Sequence, residues 1–70
     1  MPTITSPLAG TVLEVLVQTG GMVDAETDVV LLESMKMEIP VAAEAAGRIT
    51  EIKVIKGDQI REGQVLIVLG

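Results

Sequence analysis

Shifting the chain by 37 positions lays residues 7–32 on residues 44–69 without a gap, and this internal repeat narrows the folds open to it. Ala9-Gly10 falls on Ala46-Gly47, Glu14 on Glu51, Val17 on Val54, Gly20 on Gly57 and Leu32 on Leu69. Where residues differ, the apolar positions stay in phase: Val12 with Ile49, Val15 with Ile52, Val23 with Ile60, Val29 with Leu66. Such phasing marks a duplicated unit, so the chain is expected to build two similar halves around one core.

Each unit reads as β-structure. Val12 to Val17 and Ile49 to Ile55 are rich in β-branched residues, with polar residues alternating in the second. Gly20-Gly21, Gly57-Asp58 and Glu62-Gly63-Gln64 are turn signals. Val29 to Leu32 and Val65 to Leu69 are continuous apolar runs, which predicts strands buried on both faces. No segment sustains helical periodicity over ten residues. Pro2, Pro7 and Pro40 suit strand starts or edges. The reading is all-β: a pseudo-symmetric sandwich or flattened barrel, one domain over residues 1–70, with units 7–32 and 44–69 joined by a hairpin over 33–43. The equivalent of that hairpin is the gap between Gly70 and Met1, so the hairpin and the termini are expected at opposite ends.

The chain must close this fold without staples. It has no Cys for a disulfide and no His, which argues against structural zinc, and its core must come from aliphatic side chains because Phe, Tyr and Trp are absent. A net charge of −5 with no aromatic stacking platform argues against nucleic-acid binding. The longest apolar run, Val65 to Leu69, is too short to span a bilayer, and no Lys or Arg precedes Lys36 to form the basic region of a targeting peptide. A soluble, cytoplasmic protein is expected, or an organelle-matrix one if the domain belongs to a larger chain. Met1 and the lack of an Ala/Pro-rich linker favour a small stand-alone protein.

The join between the units carries the one chemically suggestive motif, Glu33-Ser34-Met35-Lys36-Met37 followed by Glu38-Ile39-Pro40. If the flanking runs pair as strands, the chain reverses at Met35-Lys36. Tight hairpins favour Asn-Gly or Asp-Gly there because φ must be positive, and this turn has neither Gly nor Asn. A local rule broken at the tip of a small β domain is what a functional constraint produces. The plain alternative is a wider loop with an ordinary surface lysine. By strand alternation Met35 and Met37 fall on one face and Lys36 on the other, with one methionine partly buried and Met35 the more exposed. Glu33 and Glu38 read equally as partner contacts or as solvated strand ends. No His, Cys or Ser-containing elbow supplies nucleophilic catalysis, Gly20-Gly21 lacks the spacing and lysine of a phosphate loop, and the carboxylates lack the spacing of a calcium loop. Neither a catalytic nor a metal site is expected.

The Met-Lys-Met motif and its flanks resemble the attachment site of biotinyl domains, the carboxyl-carrier modules of biotin-dependent carboxylases, and the resemblance runs over essentially the whole chain. It implies two four-stranded sheets related by a pseudo-dyad, with biotin joined covalently to Lys36 on a protruding hairpin. Lys36 would supply the amine that attacks biotinyl-adenylate, with Met35 and Met37 as a soft surface for biotin protein ligase and for biotin carboxylase and carboxyltransferase domains. The domain itself would be a non-catalytic carrier, monomeric in isolation. Ser34 stands where most family members have Ala, and the gapless repeat leaves no room for the protruding thumb of some acetyl-CoA carboxylase carriers. Glu26 falls where the second unit has Gly63, which implies an altered or mildly strained first turn. The competing readings are a lipoyl carrier of a 2-oxoacid dehydrogenase complex, whose tip is usually Asp-Lys-Ala, and an unmodified interaction module.

Overall fold

The computed structural model describes residues 2–70; Met1 lies outside the described residues. Eight strands and no helix are present among them: β1 (Thr3–Thr5), β2 (Gly10–Val15), β3 (Met22–Val23), β4 (Asp28–Ser34), β5 (Met37–Ala42), β6 (Gly47–Ile52), β7 (Gln59–Ile60) and β8 (Val65–Leu69). They form two four-stranded antiparallel sheets in the orders β1-β8-β6-β3 and β5-β4-β2-β7.

The offset of 37 read in the sequence also relates the sheets. It carries the start of β2 to that of β6, of β3 to that of β7 and of β4 to that of β8, and it carries Thr3 of β1 to Pro40 in β5. Applied to the first sheet's strand order, it returns that of the second. The hydrogen bonds follow the same rule. Gly20 N donates to Ile49 O at 2.8 Å, and its mate Gly57 N donates to Val12 O at 2.8 Å. The short strands β3 and β7 each cross to the sheet of the other unit, so each unit completes its partner's sheet.

Register irregularities recur at equivalent places, with Leu13 and Thr50 skipped in one pair and Val29 and Leu66 in the other. An extra residue of this kind rephases the inward–outward alternation. Burial on both faces, expected from the apolar runs, holds for β8, where Leu66 to Leu69 are all buried, and the bulge accounts for the paired burial in β4. Val29 and Val30 are both fully buried across their bulge, as are Leu66 and Ile67, whereas Leu31 beyond the bulge is only half-buried. The core collects Val12, Val29, Val30, Leu32, Ile49, Leu66, Ile67 and Leu69, drawn from both units. Strands β2 and β6 begin two residues earlier than the β-branched runs Val12–Val17 and Ile49–Ile55 and stop at Val15 and Ile52, so the last residues of both runs lie outside the sheets. Pro40 sits in the edge strand β5, where its missing N–H breaks no ladder.

The first turn is altered without strain. Gly63 adopts a positive φ of 84°, but Glu26 does not share it. Instead Asp24 Oδ1 accepts from Glu26 N at 2.9 Å and from Thr27 Oγ1 at 3.1 Å, so a side-chain-capped turn replaces the glycine turn.

Leu69 N donates to Pro2 O at 2.9 Å and Gly70 N to Arg48 O at 2.8 Å, which places both ends of the described chain beside the start of β6. Strand β5 starts at the β4–β5 turn and runs the length of the sheet before the chain reaches Gly47. The β4–β5 turn therefore lies at the opposite end of a molecule whose longest dimension is 31 Å.

Candidate functional site

The β4–β5 hairpin forms this far end. Its ladder pairs Leu31 with Pro40, Leu32 with Ile39, Glu33 with Glu38 and Ser34 with Met37, leaving Met35 and Lys36 as a two-residue turn. Both turn residues have left-handed backbone, φ 53° at Met35 and 66° at Lys36, the sign pattern that makes Asn-Gly the usual choice. Each non-glycine residue held there costs about 1–2 kcal/mol. The strands on either side offset this, since Leu32 at the hairpin root is fully buried.

Lys36 is exposed at the tip. Among the described residues the one ion pair joins Lys53 to Glu51 at 3.0 Å, so no carboxylate holds the Lys36 ammonium. Met35 is 87% exposed and Met37 57% exposed. Neither methionine is the partly buried one that strand alternation predicted, and Met35 is, as expected, the more exposed of the two. Large thioethers left exposed contribute nothing to the core and offer an adaptable contact surface.

Behind the tip, Glu33 and Glu38 face each other directly across the ladder, a like-charge pair that weakens the hairpin. Gly10 of β2 packs against the same place. A Cβ on Gly10 would lie 2.6 Å from the Glu33 carbonyl oxygen, so only glycine lets β2 approach β4 this closely. A shallow depression of about 350 Å³ opens here, bordered by Gly10, Thr11, Glu33, Ser34, Met35 and Gln59 among others. Sequence reasoning placed none of Gly10, Thr11 or Gln59 near the lysine. The strand order β4-β2-β7 brings them there, and hydrophobic patterning does not specify strand order. Among the described residues no cluster of three or more acidic side chains is grouped to hold a metal ion, and no buried polar side chain lacks a partner.

The site is thus one exposed primary amine, presented on a backbone-strained turn between two exposed methionines, at the end of the molecule away from Pro2 and Gly70. A model of the family described as biotin-requiring enzyme matches residues 2–69. The chain belongs to this family. It is 40% identical over 67 residues to the biotin/lipoyl attachment protein of Bacillus subtilis, covering 96% of this chain and 92% of that one. It is 42% identical to part of the mitochondrial methylcrotonoyl-CoA carboxylase subunit alpha of Arabidopsis thaliana, where 91% of this chain spans only 9% of the relative. The crystal structure of the Kluyveromyces lactis urea carboxylase contains the same fold, with a TM-score of 0.91 at 26% identity over 99% of this chain and 6% of that one. The match is therefore to the whole of a small attachment protein and to one module of large carboxylases.

Proposed function

We propose that this domain is biotinylated on Lys36 and carries carboxyl groups between the biotin carboxylase and carboxyltransferase sites of a biotin-dependent carboxylase system. The observation that carries the reading is the tip itself: an exposed, unpaired lysine between two exposed methionines on a two-residue turn. The residues fit the group. An amide with biotin requires a primary amine that is free of a counter-ion and accessible to a ligase active site, and Lys36 meets both conditions. When attached, biotin supplies the nitrogen that holds the carboxyl group, and the chemistry of loading and unloading belongs to partner domains.

The protein's own contribution is presentation. A β body with Pro2 and Gly70 at one pole and its lysine at the other acts as a tethered arm. Tethering raises the local concentration of cargo at the next site to the millimolar range. Biotin protein ligase is the first partner this reading requires, and Met35 and Met37 form the surface it meets. The carboxylase-type relative and the Met-Lys-Met tip both support biotin over lipoate.

Incubation with biotin protein ligase, ATP and biotin should add one biotinyl group, located at Lys36 by peptide mapping. Lys36→Arg should remain unmodified with an unchanged amide spectrum, because a guanidinium keeps the charge but is a poor acyl acceptor. Biotin found instead on Lys53 or Lys56 would overturn the assignment.

A further inference from the structure

The polar residues behind the tip fall in a straight line. Glu38 of β5 pairs with Glu33 of β4, Glu33 with Thr11 of β2, and Thr11 with Gln59 of β7. Residues directly opposite across antiparallel strands project to the same face, so these four form one row across the outward face of the lysine-bearing sheet. Glu33, Glu38 and Gln59 are exposed, and Thr11 is half-buried. Thr11, Glu33 and Gln59 border the shallow depression, and Met35, next to Lys36 in the chain, borders it as well.

We propose that this depression is a docking site for the cargo-free biotin head group on Lys36 of the same chain, and that the acidic row expels the head group once it is carboxylated. The proposal rests on biotinylation at Lys36. The ureido ring of biotin offers two N–H donors and one carbonyl acceptor. The row offers complementary groups: carboxylate acceptors at Glu33 and Glu38, an amide at Gln59 that both donates and accepts, and a hydroxyl at Thr11. Met35 supplies a polarizable contact for the apolar thiophane ring. Recognition of this kind is weak, but the ligand is tethered beside the site. At an effective concentration of about 1 mM, a head group with an intrinsic affinity of only about 1 mM is docked half of the time.

Carboxylation replaces one ureido N–H with a carboxylate. The loaded head group thus loses a donor and gains a negative charge, and it would face the Glu33 carboxylate at the border of the depression, with Glu38 beside it in the row, on an open surface. Both changes oppose docking. The row would hold the empty cofactor against the protein and leave the loaded one extended for transfer. The like-charge pair across the ladder, unfavourable for the hairpin, thereby acquires a use.

The test compares amide spectra of apo and biotinylated protein, with intact mass establishing that biotin is attached. Docking should shift the backbone signals of Thr11, Glu33 and Gln59 and the side-chain amide of Gln59, while Arg48 at the opposite end stays fixed. Gln59→Ala should still be biotinylated fully but should lose the shifts at Thr11 and Glu33. Loading with bicarbonate and ATP by an isolated biotin carboxylase at low temperature should return Gln59 to its apo position, and Glu33→Gln should reduce that return. Biotin attached at Lys36 with shifts confined to residues 34–38 would overturn docking and leave the carrier function standing. Shifts at Thr11 and Gln59 that persist after loading would overturn the expulsion. Failure to biotinylate Lys36 at all would remove the carrier reading and the docking site with it.

Discussion

At the tip, the proposed carrier role assigns reactivity to Lys36 and recognition to Met35 and Met37. Lys36 is exposed and has no ion-pair partner among the described residues. Met35 and Met37 are exposed to 87% and 57%, so replacing them removes little buried area and little stability. Their role is then testable apart from folding. A ligase selects by the contacts around the lysine, and methionines on both sides present a surface unlike the acidic and small neighbours of a lipoyl lysine. The double change Met35→Asp, Met37→Ala should keep stability within about 0.5 kcal/mol, since Asp tolerates left-handed backbone better than Met does. In competition between biotin and lipoate ligases it should lower biotin incorporation at Lys36 and raise lipoyl incorporation. Peptide mapping of the products decides it, and an unchanged preference would remove the methionines from the recognition surface.

At the level of the hairpin, the strain in the turn is a measurable quantity. Two non-glycine residues with φ of 53° and 66° together cost a few kcal/mol at most. Replacing Met35-Lys36 by Asn-Gly relieves most of this and returns part of it as glycine's greater chain entropy in the unfolded state. The variant should be more stable by about 1–2 kcal/mol, seen as a rise in Tm of about 4–16 °C, and should accept no biotin. A fall in Tm would show that the Met-Lys turn is not strained. The position of the turn and its conflict with turn chemistry were legible in the sequence, because the apolar runs bracket it and no Gly or Asn lies between Glu33 and Glu38. The long strands β2, β4, β6 and β8, their duplication and the lysine's place were legible for the same reason, whereas the short strands β1, β3 and β7 carry too few residues for a period to show. Two features were not. The bulges at Leu13, Thr50, Val29 and Leu66 fall within runs whose residue pattern reads the same with or without them. The crossing of β3 and β7 between sheets, which sets Gln59 and Thr11 behind the lysine, is a long-range pairing that periodicity does not encode.

Over the whole molecule, the pseudo-dyad makes the core an alliance of equivalent residues rather than two independent halves. Leu32 at the hairpin root and Leu69 near the chain ends are mates under the offset of 37, and both are fully buried. A 70-residue domain has a total stability of about 4–10 kcal/mol, and truncating a buried leucine to alanine removes about 2–5 kcal/mol. Neither site involves Lys36, so the unmodified chain should already give a dispersed amide spectrum, and biotinylation should raise its Tm by no more than about 3 °C, the most that half-time docking supplies. Leu32→Ala and Leu69→Ala should lower Tm by similar amounts, at least about 8 °C each, although they lie at opposite poles. Each unit completes the other's sheet, so both variants should unfold in a single cooperative transition rather than losing one half first. Thermal melts followed by circular dichroism and by amide signals from both ends would check this. A two-step melt, or a Leu32→Ala loss several-fold different from that of Leu69→Ala, would mean that the symmetry of the strand order does not extend to the energetics of the core.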